Sequence, residues 1–125
     1  MNIKGVVTSG TGKGSYFVSR EIYSDQFKEI LGFKPYPGTL NIKISSHEID
    51  DIANVPNQKI SIIHGKEGFG DVKYIKAIMN NKINGALVFP VKTEHPAKIL
   101  EFIAKENLRD DLHLKDGDLV ILKLN

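Results

Sequence analysis

Thr39 and Asn41 stand two residues apart in FKPYPGTLNIKI, residues 33–44, directly after a turn-forming Pro37-Gly38 pair. Successive side chains of a strand point to opposite faces, so Leu40, Ile42 and Ile44 share one face while Thr39, Asn41 and Lys43 share the other. The apolar face suits a core. The hydroxyl and amide left on the other face are small neutral oxygen donors, suited to a hard cation. A second candidate is the glycine-rich SGTGKGSYF, residues 9–17. Glycines let backbone N–H groups turn inward and approach an anion closely. The spacing fits neither familiar phosphate motif. Gly14 separates Lys13 from Ser15 and Val7 occupies the first glycine position of a Walker-type loop, while Ser15 replaces the third glycine of a dinucleotide fingerprint. Taken alone, the loop reads as well as a plain hairpin connection as it does as a phosphate cradle.

Other polar residues carry less. His47, His64, His95 and His113 are scattered without metal-ligand spacing, which argues against a zinc site. Asp50-Asp51 and Asp110-Asp111 are adjacent pairs that face apart on a helix or strand, and read as solvated charges or caps. HGKEGFGDV, residues 64–72, is most economically a glycine-bearing hairpin. Glu101, between Leu100 and Phe102, reads on these grounds as an exposed carboxylate of a helix.

The elements that would position these residues are mostly strands, bounded by glycine, proline and asparagine turns. Residues 3–8 and 15–19 read as strands around the glycine loop. Ile22, Phe27, Ile30 and Leu31 lie at helical spacing in 20–31, ending at Gly32. Strands are expected at 40–44, 59–64, 71–78, 83–91 and 118–124, the last preceded by an Asp116-Gly117 turn. A second helix is expected from Pro96, with Ile99, Leu100, Ile103 and Ala104 as its apolar stripe. Six or more short strands without regular βαβ alternation predict a small closed barrel. The chain has 125 residues, no cysteine and a formal net charge of +2. That predicts one domain without disulfides or thiolate chemistry, and no global attraction to nucleic acid or anionic membrane. Neither a signal-peptide run nor eighteen consecutive apolar residues occurs, so a soluble cytoplasmic protein is expected.

The ordered set VVTSGTGKGSYFVS, LGFKPYPGTLNIKI, VFPVKTEHPAKILEFIA and LRDDLHLKDGDLVIL resembles the archaeal CTP-dependent riboflavin kinases along nearly the whole chain, most specifically through GFKPYPGTLNIKI. The resemblance implies a mainly β fold: a six-stranded Greek-key barrel of the cradle-loop, riboflavin kinase-like type with two short helices. It implies transfer of the γ-phosphoryl group of CTP to riboflavin, giving FMN and CDP. Some members carry an N-terminal winged-helix domain. This chain begins directly at the barrel, so a single domain over residues 1–125 is expected.

Carried over by position, the resemblance assigns Thr39 and Asn41 to one Mg²⁺ ion. Neutral ligands hold such an ion weakly, so it would arrive with the triphosphate. Thr11, Gly12, Lys13, Gly14, Ser15 and Tyr16 correspond to the nucleotide loop, and Glu106, Asn107, Leu108 and Arg109 to a second nucleotide segment. Thr93 and Glu101 correspond to the flavin contacts, which gives the discounted carboxylate a role as a hydrogen-bonding anchor. No catalytic base is assigned. Lys105 departs from the proline that commonly follows Ile-Ala in the family. The competing class is a non-catalytic barrel that binds nucleic acid or senses a flavin or nucleotide. The sequence disfavours nucleic acid, because Phe17, Phe33, Tyr36 and Phe89 are not interleaved with arginines. No membrane or obligate protein partner is expected.

Overall fold

Alternation of inward and outward side chains organises the chain. In β7 (Leu119–Leu124) every second residue, Val120, Leu122 and Leu124, is buried, and β2 (Leu40–Lys43) buries Leu40 and Ile42 in the same manner. The computed structural model describes residues 1–9, 21–65, 70–90 and 98–124. The remaining strands are β1 (Asn2–Thr8), β3 (Ser61–Ile63), β4 (Val72–Met79), β5 (Ile83–Pro90) and β6 (Ile99–Ala104). Three short α-helices accompany them: α1 (Glu21–Leu31), α2 (Ser46–Ala53) and α3 (Leu108–Asp111).

All strand pairs are antiparallel, in the order β4-β5-β6-β2-β1-β7, and β7 pairs again with β4. That last pairing closes a six-stranded barrel, which leaves no open edge in the ring. β3 attaches to β4 beyond the end of its pairing with β7. The non-sequential order, with β7 returning beside β1 across β6 and β2, has Greek-key character. Leu40, Ile42, Ile75, Leu87, Leu100, Phe102 and Leu122 fill the interior.

A second core lies outside the ring. Tyr23 and Phe27 of α1 are buried against Tyr74, Ala86, Val88 and Ile103, the outward residues of β4, β5 and β6. Phe27 meets Tyr74 edge to face at 5.8 Å, and the Tyr23 hydroxyl donates to the Gly70 carbonyl at 2.7 Å. The expected helix is therefore present, with Tyr23 as an anchor that its spacing pattern omitted.

One expected element is overturned. Residues 99–104 form a strand, not the helix predicted from Pro96. Leu100, Phe102 and Ala104 point into the barrel while Ile103 packs under α1, so buried apolar residues lie on both faces of this stretch, with Glu101 the polar exception. A strand buried on both faces presents a continuous apolar run, which a helical stripe imitates. Conversely, α2 was not anticipated, although Ser45 and Glu48 form the start of a capping signature: the Ser45 hydroxyl accepts from the Glu48 N–H at 3.4 Å. The strand expected at 15–19 lies outside the described residues. The 64–72 hairpin reading agrees with the Ile63↔Val72 pairing. None of the described helices is long and apolar enough to cross a membrane.

Candidate functional site

Strand register assembles the first group. Thr8 of β1 pairs with Asn41 of β2, and Asn41 pairs with Glu101 of β6. Directly paired residues of an antiparallel sheet share a face. Since Leu40, Ile42, Leu100 and Phe102 point inward, Thr8, Asn41 and Glu101 form a row on the outside of the barrel. Glu101 is thus a strand residue, which corrects its expected place on a helix. Thr39, just before β2, donates its hydroxyl hydrogen to Glu101 Oε1 at 3.1 Å. The loop leading to it is fastened to β6: the Tyr36 N–H donates to the Ala104 carbonyl at 2.8 Å, and the Gly38 N–H folds back to the Tyr36 carbonyl at 2.7 Å.

Beside this row opens a cleft of about 240 Å³. Tyr36, Gly38 and Thr39 form one wall; Glu106, Asn107 and Arg109 form the other; Leu40 and Phe102 contribute to its apolar lining. Asn107 caps α3, accepting from the Asp110 N–H at 3.4 Å, and its amide donates to the Tyr36 hydroxyl at 3.0 Å. The two walls are therefore bonded to each other. Leu108, 5% exposed, anchors the short helix in the core.

Arg109 extends from that helix across the end of β1. Its Nη2 donates to the Thr8 carbonyl at 3.0 Å and to Asp116 Oδ1 at 2.6 Å. The second carboxylate oxygen of Asp116 accepts from the Ser9 hydroxyl at 2.7 Å. The Ser9 hydrogen bond first, and the Arg109 hydrogen bond and charge with it, hold the Asp116 carboxyl below its ordinary value. The turn that carries Asp116 is seated on the same strand end: the Gly117 N–H donates to the Val7 carbonyl at 2.7 Å, and the Val7 N–H to the Asp118 carbonyl at 2.8 Å. Gly117 has φ of +95°, a conformation that makes glycine the residue for this turn.

The donor set around Asn41 suits a hard divalent cation. Because the Thr39 hydroxyl gives its hydrogen to Glu101, its oxygen lone pairs remain available, and the Asn41 amide oxygen lies on the same face. Oxygen-only ligands of this kind fit an ion that retains much of its water shell. Among the described residues no group of three or more His, Cys, Asp or Glu gathers as an alternative.

A family model designated CTP-dep_RFKase, described as a domain of unknown function (DUF120), matches residues 7–124. The chain belongs to the CTP-dependent riboflavin kinase family. A protein named riboflavin kinase from Methanobrevibacter smithii is 52% identical over 120 residues, which is 96% of this chain and 97% of the relative. Another of that name, from Methanothermobacter thermautotrophicus, is 48% identical over 117 residues, 94% of this chain and 93% of the relative. A longer one from Pyrococcus furiosus is 46% identical over 127 residues, 97% of this chain but 57% of the relative.

Of the residues that the sequence resemblance assigns to a site, Thr39, Asn41 and Glu101 come together on the outer face of β2 and β6. Glu106, Asn107, Leu108 and Arg109 line the cleft that Thr39 borders. The loop residues Thr11, Gly12, Lys13, Gly14, Ser15 and Tyr16, and Thr93 between β5 and β6, lie outside the described residues. Sequence reasoning left out Tyr36 and the Ser9–Asp116–Arg109 network. LKDGDL is legible as a turn, but 107 residues separate Ser9 from Asp116, and no local pattern signals a contact across that distance.

Proposed function

We propose that the protein is a riboflavin kinase that transfers the γ-phosphoryl group of CTP to the ribityl 5′-hydroxyl of riboflavin, forming FMN and CDP. The observation that carries this reading is the Thr39–Glu101 hydrogen bond at the rim of the cleft lined by Glu106 to Arg109. It joins the residue corresponding to a metal ligand to the one corresponding to the flavin anchor, beside the nucleotide segment. A phosphoryl transfer needs that adjacency, because acceptor hydroxyl, donor phosphate and counter-charge must meet within a few ångströms.

In the proposed reaction the ribityl oxygen forms a bond to the γ-phosphorus, the bond from that phosphorus to the CDP oxygen breaks, and the hydroxyl proton is released. Glu101 accepts a hydrogen bond from the polyol and, itself held by Thr39, fixes its direction. Arg109 donates to phosphate oxygens, where negative charge spreads in the transition state. Thr39 and Asn41 would hold Mg²⁺ brought in with CTP, whose charge offsets that of the phosphates. A single barrel domain over residues 1–125 accommodates these roles, and the use of a nucleoside triphosphate fits a cytoplasmic setting.

The test is incubation with riboflavin, Mg²⁺ and CTP, ATP, GTP or UTP in turn, with FMN followed by chromatography. FMN should accumulate fastest with CTP. A preference for ATP refutes the donor assignment, and quenching of riboflavin fluorescence without FMN identifies a sensor instead of a kinase.

A further inference from the structure

The Asp116 carboxylate ties the nearby Arg109 to the end of β1, 107 positions away at Ser9. Oδ1 takes the Arg109 guanidinium, Oδ2 takes the Ser9 hydroxyl, and the turn around it is bonded to Val7. That turn is itself closed by the Lys115 N–H to Asp118 Oδ2 at 2.8 Å and by the Asp118 N–H to the Lys115 carbonyl at 3.0 Å. A guanidinium carries five N–H donors in a planar fork. Here the two on Nη2 are used by Thr8 and Asp116, and the three on Nη1 and Nε have no partner among the described residues. The fork is therefore fixed at Nη2 while the Nη1 and Nε donors stay available beside the cleft that Arg109 lines.

The exposure of the pair argues against a purely structural purpose. The Arg109 and Asp116 side chains are 38% and 54% exposed. Ion pairs this open to water add little to stability. Their geometric effect is different in kind: a free arginine samples many rotamers, whereas this one is bonded at two points to a rigid turn and a strand end. Pre-ordering of that sort lowers the entropy cost of engaging an anion.

We infer that Asp116 is a positioning residue for the phosphoryl donor, holding Arg109 and the Ser9 end of β1 in one orientation so that the remaining guanidinium donors, on Nη1 and Nε, meet the triphosphate. The inference rests on the reading of the cleft as the donor site. Asp116 acts through Arg109 and touches no substrate.

Steady-state kinetics on the full chain provide the test. Wild type, Asp116→Asn, Arg109→Gln and the double variant are compared, using whichever nucleoside triphosphate the wild type accepts, alongside thermal unfolding. Loss of a charge-assisted hydrogen bond predicts a rise of about tenfold in the nucleotide KM of Asp116→Asn, with riboflavin KM held within about twofold. The thermal midpoint should move by no more than about 3 °C. The double variant should be no worse than Arg109→Gln alone, because the two act as one unit. Asp116→Glu, which keeps the charge, should recover part of the loss. An unchanged nucleotide KM in Asp116→Asn, effects that add in the double variant, or a parallel rise in both KM values with loss of folding overturns the inference. A wild type inactive with every triphosphate refutes the functional reading instead. CTP affinity of the same four proteins by calorimetry then decides for Asp116, and equal affinities in wild type and Asp116→Asn overturn its role.

Discussion

At the scale of single residues, the roles proposed for Asn41 and Asp116 are separable by what each change leaves intact. Asn41→Ala removes an amide oxygen from the outer row without touching the inward Leu40 and Ile42. Turnover should fall about a hundredfold or more, the order expected when a group that stabilises transition-state charge is lost. Riboflavin affinity, read by fluorescence quenching, should stay within about threefold. Turnover near normal at saturating Mg²⁺ removes Asn41 from the metal shell. Asp116 offers a pH readout. Its carboxyl is held below the ordinary value, so its contacts contribute fully above about pH 4 and are lost as pH falls through the lowered value. An NMR titration should place its midpoint below that of an ordinary aspartate, and Ser9→Ala should move that midpoint upward. A midpoint at or above the ordinary value contradicts the network.

The elements hold the row and the cleft in register. β6 supplies Glu101 outward and Leu100 and Phe102 inward, while its outward Ile103 binds the barrel to α1. β5 approaches it closely at Gly85, where an added Cβ would meet the Ile103 carbonyl oxygen and the Phe102 ring. Gly85→Ala should therefore destabilise the fold by about 1–3 kcal/mol, as overpacking of a tight interior does. Urea unfolding should show a lower midpoint with an unchanged slope. An unshifted midpoint means that the two strands part at no cost and that the register of Glu101 is not fixed there. The same strand shows what was hard to read in advance. Ile99, Leu100, Ile103 and Ala104 satisfy helical spacing, and only the packing of α1 on the far side of β6 explains why Ile103, on the outer face, is apolar as well.

At the scale of the whole molecule, the strand order of the ring brings the end of β1 and the turn before β7 to the site. β1 and β7 pair along Asn2 to Val6 and Leu119 to Lys123, so the turn before β7 sits beside the end of β1. The β4–β5 hairpin completes the closure: Asn80, at φ of +52°, donates its N–H to the Ile121 carbonyl at 2.7 Å and accepts from the Ile121 N–H through its side chain at 2.9 Å. Arg109, Asp116 and Thr8 meet because of the strand order on the other side of β7. α3 follows β6, Asp116 precedes β7, and Thr8 ends β1, and the strand order β6-β2-β1-β7 gathers those ends at one rim.

The sequence alone determined the strand texture, the inward Leu40–Ile42–Ile44 face, the α1 helix and the Asp116-Gly117 turn, because each is set by periodicity or by the backbone preference of a few adjacent residues. Its motif blocks also carried the family. The tertiary structure alone decided that residues 99–104 form a strand, that Thr39 bonds to Glu101, and that Asp116 holds Arg109 and Ser9. These depend on which segments the barrel places side by side, and contacts spanning 62 and 107 positions leave no trace in a local pattern.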